Sequence, residues 1–107
     1  MNTQYKKGSL ELCVLSLLSQ HDMYGYEIVS RISPRIEVNE STIYPLLRRL
    51  TKEDYLTTYQ KDSTEGPQRK YYQLTTKGTH YFEVMATQWR QFINEVNYFL
   101  EGGENND

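Results

Sequence analysis

Between Ser41 and Lys52 lies the stretch whose residue types could do chemistry. Ile43, Leu46, Leu47 and Leu50 recur at i, i+3, i+4 and i+7, the one-face pattern of an amphipathic helix, and Ser41, Thr42, Tyr44, Pro45, Arg48, Arg49 and Lys52 fall elsewhere. The aliphatic face is core. The other face offers hydroxyls and cations, the set that bonds to DNA phosphates and base edges. The helix is expected to begin near Asn39 to Ser41, with Asn39 or Ser41 as N-cap and Pro45 in the first turn, where it has no N–H to lose. Taken alone, the stretch fits an ordinary solvated surface helix at least as well, so its surroundings decide.

Other chemistries find no such grouping. His21 and His80 lack metal-ligand spacing and Cys13 is remote in sequence, so no metal and no cofactor is expected. There is no glycine-rich phosphate loop and no Ser or Cys set beside a base, which argues against an enzyme. Cys13 is the only cysteine, so no internal disulfide can form and a reducing cytosol fits best. Between Leu12 and Val14 it reads as a buried structural thiol, with redox sensing as the alternative.

A chain of 107 residues fits one domain with a modest core, for which self-association is a natural aid. The net charge of -2 is unevenly spread. Residues 1–80 carry eleven Lys and Arg against nine Asp and Glu, whereas residues 81–107 carry Arg90 against five acidic residues. The acidic end hides a mildly basic body, which permits a polyanionic partner. No secretory cleavage pattern and no run approaching ~18 apolar residues is present, so a soluble, cytoplasmic chain without membrane contact is expected.

The positioning elements follow in order. Ser9 to Gln20 reads as a helix apolar nearly all round, buried on more than one side. After a break at His21 to Tyr24, a second helix carries Ile28, Val29 and Ile32 to the core and stops before Pro34, with Gly25 permitting close packing. The helix with the hydroxyl and cation face comes third and ends over Glu53 to Tyr55. Leu56 to Gln60 and Arg69 to Leu74 read as strands of a hairpin, with Lys61 to Gln68 as a long tip. Thr75 or Thr76 caps a final helix. From Phe82 its apolar residues Phe82, Met85, Trp89, Phe92, Val96 and Phe99 step by 3, 4, 3, 4, 3, a heptad seam that Ile93 and Leu100 widen. A seam of that kind needs a partner helix.

This order predicts a mainly α fold with a small β-hairpin. It comprises a winged helix-turn-helix over residues 1–75, a dimerisation helix over 76–100 and a disordered acidic tail over 101–107. The third helix then becomes the one that enters a major groove, and Gln68, Arg69 and Lys70 a wing reaching phosphates or the adjacent minor groove. Arg48 is expected to face the groove with Tyr44, while Arg49 or Lys52 reaches the backbone. The dimer interface is expected to take Leu10 and Val14 of the first helix together with Phe82, Met85, Trp89, Phe92, Ile93, Val96, Phe99 and Leu100.

The sequence resembles the PadR family of bacterial transcriptional regulators, in particular its short members. The resemblance is carried by Gly8 to Glu11, Tyr24 to Ile28, Ser41 to Leu50 and Gly66 to Thr75, in that order. Asp54 stands where the family usually has a Gly, and Gln68 where an Arg is frequent. The resemblance implies a homodimeric repressor of palindromic operator DNA that responds to phenolic acids or bulky aromatic drugs. It also places Trp89 at a pore between subunits, where Trp89, Phe92 and Met85 would hold a small planar aromatic effector. The rival for Trp89 is simple core packing. Rivals for the whole chain are a winged-helix protein-interaction module and a drug-sequestering binder without operator specificity.

Overall fold

A computed structural model describes residues 3–104 of the chain. Helix α1 spans Thr3–Gln20, strand β1 Met23–Tyr24, helix α2 Gly25–Ile32, helix α3 Glu40–Lys52, strand β2 Leu56–Ser63, strand β3 Gly66–Leu74 and helix α4 Thr76–Leu100. The core forms where the apolar faces of the first three helices meet one face of the sheet. Val14, Leu15, Ile28, Ile43, Leu47 and Leu50 lose all contact with solvent there, and Leu56 and Tyr72 close it from the strands. Each such aliphatic contributes about 1.5–3 kcal/mol by leaving water. Helices α2 and α3 are the paired helices of a helix-turn-helix, the hairpin β2–β3 is the wing, and α4 is the long final helix.

Several local features depart from expectation. The hairpin tip is short, because pairing runs from Leu56↔Leu74 to Ser63↔Gly66 with a bulge between Lys61 and Ser63. Pro67 is tolerated there because it lies beside the bulge, beyond the reach of β1. The break expected at His21 to Tyr24 contains β1, which pairs Met23 with Tyr72 and Tyr24 with Tyr71 and gives the sheet order β1-β3-β2. Asn39 is the N-cap residue of α3, but its side chain accepts from Ser41 Oγ at 2.5 Å and caps no backbone N–H. Ser41 lies within the helix, and Pro45 therefore falls in the second turn. The carbonyl of Ser41 loses its usual donor, a cost limited by the exposure of both residues.

The C-terminus of α3 and both ends of α4 are closed by local hydrogen bonds. Asp54 takes φ 67°, and Tyr55 N–H donates to Leu50 O at 3.0 Å while Asp54 N–H donates to Thr51 O, a Schellman closure with Asp in the usual glycine place. Thr75 caps α4 by accepting from Gly78 N–H at 2.9 Å. The tail expected to fray from Glu101 is folded back as far as Glu104. There Gly102 at φ 82° lets Gly103 N–H reach Tyr98 O at 2.9 Å, and Tyr98 Oη returns a bond to Gly103 O at 2.8 Å. Asn105 to Asp107 lie outside the described residues.

The molecule measures 65 × 28 × 20 Å. Its long axis reflects α4, whose 25 residues reach about 37 Å. Only Gly78 and Ala86 of α4 are buried. Beyond Ala86 the helix leaves the winged unit, with Trp89 at 40 %, Phe92 at 62 %, Phe99 at 60 % and Leu100 at 78 % exposure. Among the described residues no helix is long and apolar enough to cross a membrane.

Candidate nucleic-acid interface

Helix α3 presents a clean division. Ile43, Leu47 and Leu50 are buried, while Ser41, Thr42, Pro45, Arg48 and Lys52 face solvent. Among the described residues neither Arg48 nor Lys52 has an ion-pair or hydrogen-bond partner, so both cations are available to a ligand. Thr42 Oγ1 lies 3.4 Å from Asn39 Oδ1, a weak tie that leaves its hydroxyl free to rotate.

Tyr44 is half-buried, and its ring lies against the start of α2. A Cβ built on Gly25 would sit 2.4 Å from Tyr44 Cε1, so a side chain there would displace the ring. Tyr24, Gly25, Tyr44, Arg69, Lys70 and Tyr72 line one shallow cleft of about 150 Å³. The fold thus brings the wing cations beside the start of α2 and Tyr44 of α3. Burial pushes the Tyr44 and Tyr72 hydroxyls above their ordinary pKa, so both stay neutral hydrogen-bond donors; Arg48 opposes this weakly at Tyr72.

Arg69 and Lys70 are held by rings. The Arg69 guanidinium lies 4.5 Å from the Tyr24 ring centre, and Lys70 Nζ 5.8 Å from that of Tyr72. Gln68 Nε2 donates to Asp62 Oδ1 across the hairpin at 2.8 Å, which occupies part of its side chain. On the outer face of the sheet Tyr71 contacts Tyr24 and Tyr59, each with ring centres 5.6 Å apart, and Lys61 Nζ lies 5.2 Å from the Tyr71 ring centre. Asp22 Oδ2 locks this set by accepting from Tyr59 Oη at 2.7 Å and Gln73 Nε2 at 3.2 Å. Sequence reasoning missed Tyr24, Lys61, Tyr71 and Tyr72. The signal present was the ten tyrosines, several of them in or beside the strands.

Arg49 is a correction. Its Nη2 donates to Glu11 and its Nη1 to Glu53, each at 3.0 Å, so it points toward α1 and not outward with Arg48. The step of about 100° per residue around a helix separates the two arginines. Its hydrogen bonds to Glu11 and Glu53 raise the Arg49 pKa further, keeping the guanidinium charged.

Leu10 and Val14 are corrections too. They are buried in the core of the single chain, out of reach of a second copy. The open side of α1 is instead Leu12, Cys13, Ser16 and Leu17, which with Ile32, Ile36 and Trp89 line an apolar groove of about 500 Å³ rimmed by Arg31 and Arg35. Met85 and Phe92 do not line it; further along α4 Phe92, Phe99 and Leu100 are exposed, while Met85, Ile93 and Val96 are half-buried. Phe82 is half-buried and packs partly on the core of this chain. Cys13, expected to be buried, is half-buried at the groove, and burial raises its thiol pKa, away from a reactive thiolate. Among the described residues no three His, Cys, Asp or Glu stand together as a metal site.

A family model described as the transcriptional regulator PadR-like family matches residues 14–84. The fold is similar to that of a PadR-like transcriptional regulator from Bacillus cereus at 40% identity, covering 92% of this chain and 98% of that one with a TM-score of 0.85. An uncharacterized protein from Lysinibacillus sphaericus is 33% identical over 102 residues, 92% of this chain and 94% of its own. Bacillus subtilis PadR, solved in complex with operator DNA, is 28% identical over 70% of this chain and 45% of that one, with a TM-score of 0.63.

Proposed function

Since the chain belongs to the PadR-like family of transcriptional regulators, we propose that it is a homodimeric, effector-responsive repressor that binds palindromic operator DNA. The observation that carries this reading is the exposed hydroxyl and cation face of α3, opposite a face sealed in the core, with Tyr44 of the same helix sharing a cleft with Arg69 and Lys70. In this reading α3 enters the major groove, Arg48 and Thr42 contact base edges, and Ser41, Tyr44, Lys52, Arg69 and Lys70 hold phosphates. Pro45 and Gln68 shape the surface around them. The solved operator complex of Bacillus subtilis PadR supports the same use of the fold.

A second copy is the occupant of the uncovered seam of α4. Trp89, Phe92, Phe99 and Leu100 expose large apolar side chains along one helix, and Trp89 joins them to the open side of α1, the kind of surface that a partner covers. Pairing those faces by a two-fold axis sets two recognition helices about one turn of DNA apart, ~34–36 Å. A planar aromatic effector stacking on Trp89 in the groove would bias that separation by its differential affinity for the two arrangements.

The test is selection from a random duplex library by the purified full chain. A palindrome with half-sites one helical turn apart is the expected product. No enrichment of any sequence would overturn the proposal.

A further inference from the structure

One acidic side chain in the core has no part in the interface described above. Glu11 is the charged residue buried among the described residues, at 8 % exposure, within the apolar run of α1. Its Oε1 accepts from Arg49 Nη2 of α3 at 3.0 Å and from Tyr81 Oη of α4 at 3.3 Å. A single carboxylate oxygen therefore touches both the helix with the cation face and the helix with the apolar seam.

Both partners are themselves fixed. Arg49 Nη1 is tied to Glu53, the residue that closes the end of α3. The Tyr81 ring stacks on Tyr55, just past the end of α3, with centres 4.0 Å apart and planes 12° apart. Burial, then the charge of Glu11 and its hydrogen bond, push the Tyr81 hydroxyl up to about 12, so it stays a donor. The carboxylate adds direction, since buried charge demands its donors in place.

The location gives this leverage. Tyr81 lies in the second turn of α4, and Phe99 is about 27 Å further along the helix. A tilt of about 5° at Tyr81 moves Phe99 by about 2 Å on that lever. The seam near Phe99 is where a second copy would be held, so the tilt becomes a change in the spacing of two α3 helices.

We propose that Glu11 is a positioning residue for DNA recognition: its carboxylate clasps α3 to α4 and so fixes the separation of the two recognition helices in the dimer. This rests on the DNA-binding dimer proposed above. The experiment therefore has one arm that needs neither DNA nor dimer. Nitroxide labels at Lys52→Cys and Gln91→Cys, in full chain carrying Cys13→Ser and diluted with excess unlabelled chain, report the distance between α3 and α4 within one protomer. A narrow distance distribution is expected, becoming at least twofold broader with Glu11→Gln. Tyr81→Phe leaves Glu11 paired with Arg49 and removes only the α4 arm; it is expected to broaden the distribution as well.

The second arm uses the selected palindrome with its half-sites moved apart by one and two base pairs. The affinity penalty for wrong spacing is expected to fall at least fivefold in both variants, with single half-site affinity within twofold of the parent. An unchanged distance distribution in both variants overturns the clasp whatever the DNA result. A broadened distribution with an intact spacing penalty overturns its role in recognition. A parent chain that binds no duplex specifically overturns the function proposed above and this role with it, and the label distances tell that failure from loss of the clasp.

Discussion

Exchanging the neighbouring arginines of α3 separates surface from support. Arg48 has no partner among the described residues and faces solvent, so Arg48→Ala should leave stability within about 0.5 kcal/mol, the usual range for a surface change. It should weaken operator binding by ~1–3 kcal/mol, about 5- to 150-fold, if the guanidinium reads guanine. Arg49→Ala removes the ion partner of buried Glu11. Breaking a fully buried pair costs about 3–5 kcal/mol, but Arg49 is 49 % exposed, so solvent screening lowers the expected cost to ~1–2 kcal/mol. At about 4–8 °C per kcal/mol for a domain of this size, that is a Tm lower by roughly 5–15 °C. Thermal unfolding followed by circular dichroism gives the first quantity, and titration of a labelled single half-site duplex gives the second. The half-site affinity of folded Arg49→Ala should stay within about twofold of the parent. An Arg49→Ala chain that keeps its Tm but loses DNA, or an Arg48→Ala chain that melts early and binds normally, would refute this division of labour.

The fluorescence of Trp89, the lone tryptophan, should be quenched saturably by planar phenols or cationic dyes, and the apparent binding should vanish in Trp89→Ala while sedimentation still shows a dimer; no response across a broad panel would exclude an effector site there. Gly78→Ala places a Cβ 2.0 Å from Tyr55 O, a backbone atom that cannot swing aside, so the junction of α3 and α4 must open at a cost of about 1–3 kcal/mol, read as a lower urea midpoint. Because the folded chain holds the Tyr81 proton more tightly than the ordinary value of 10.0, its contribution is complete below pH 10 and lost as pH rises toward about 12. Stability should therefore fall less steeply across that window in Tyr81→Phe than in the parent.

The sequence pattern carried the elements whose chemistry is local. The i, i+3, i+4, i+7 spacing of Ile43 to Leu50 placed the buried face of α3, and Thr75 announced the start of α4 through its own capping bond. The left-handed end of α3 falls at Asp54, where the resembling family usually has a Gly. What escaped depends on neighbours distant in sequence. Helix α1 is apolar nearly all round, so nothing in its spacing separates Leu10 and Val14, which meet the core, from Leu12, Cys13 and Leu17, which meet the groove. Arg49 turned inward because Glu11 waits 38 residues away. Strand β1 is two residues long, too short for a period, and exists because Tyr71 and Tyr72 offer an edge. The wing cations were legible as charges, but the rings of Tyr24, Tyr71 and Tyr72 that hold them were not.

The most direct measurement is the affinity of the purified full chain for its selected palindrome and for a scrambled duplex of equal composition, at about 50 mM and about 200 mM salt. Binding to the palindrome at least ~10³-fold tighter than to the scrambled duplex, and weakening steeply with salt on both, is the predicted result. Equal, weak binding to the two duplexes would contradict the claim that the exposed face of α3 reads DNA.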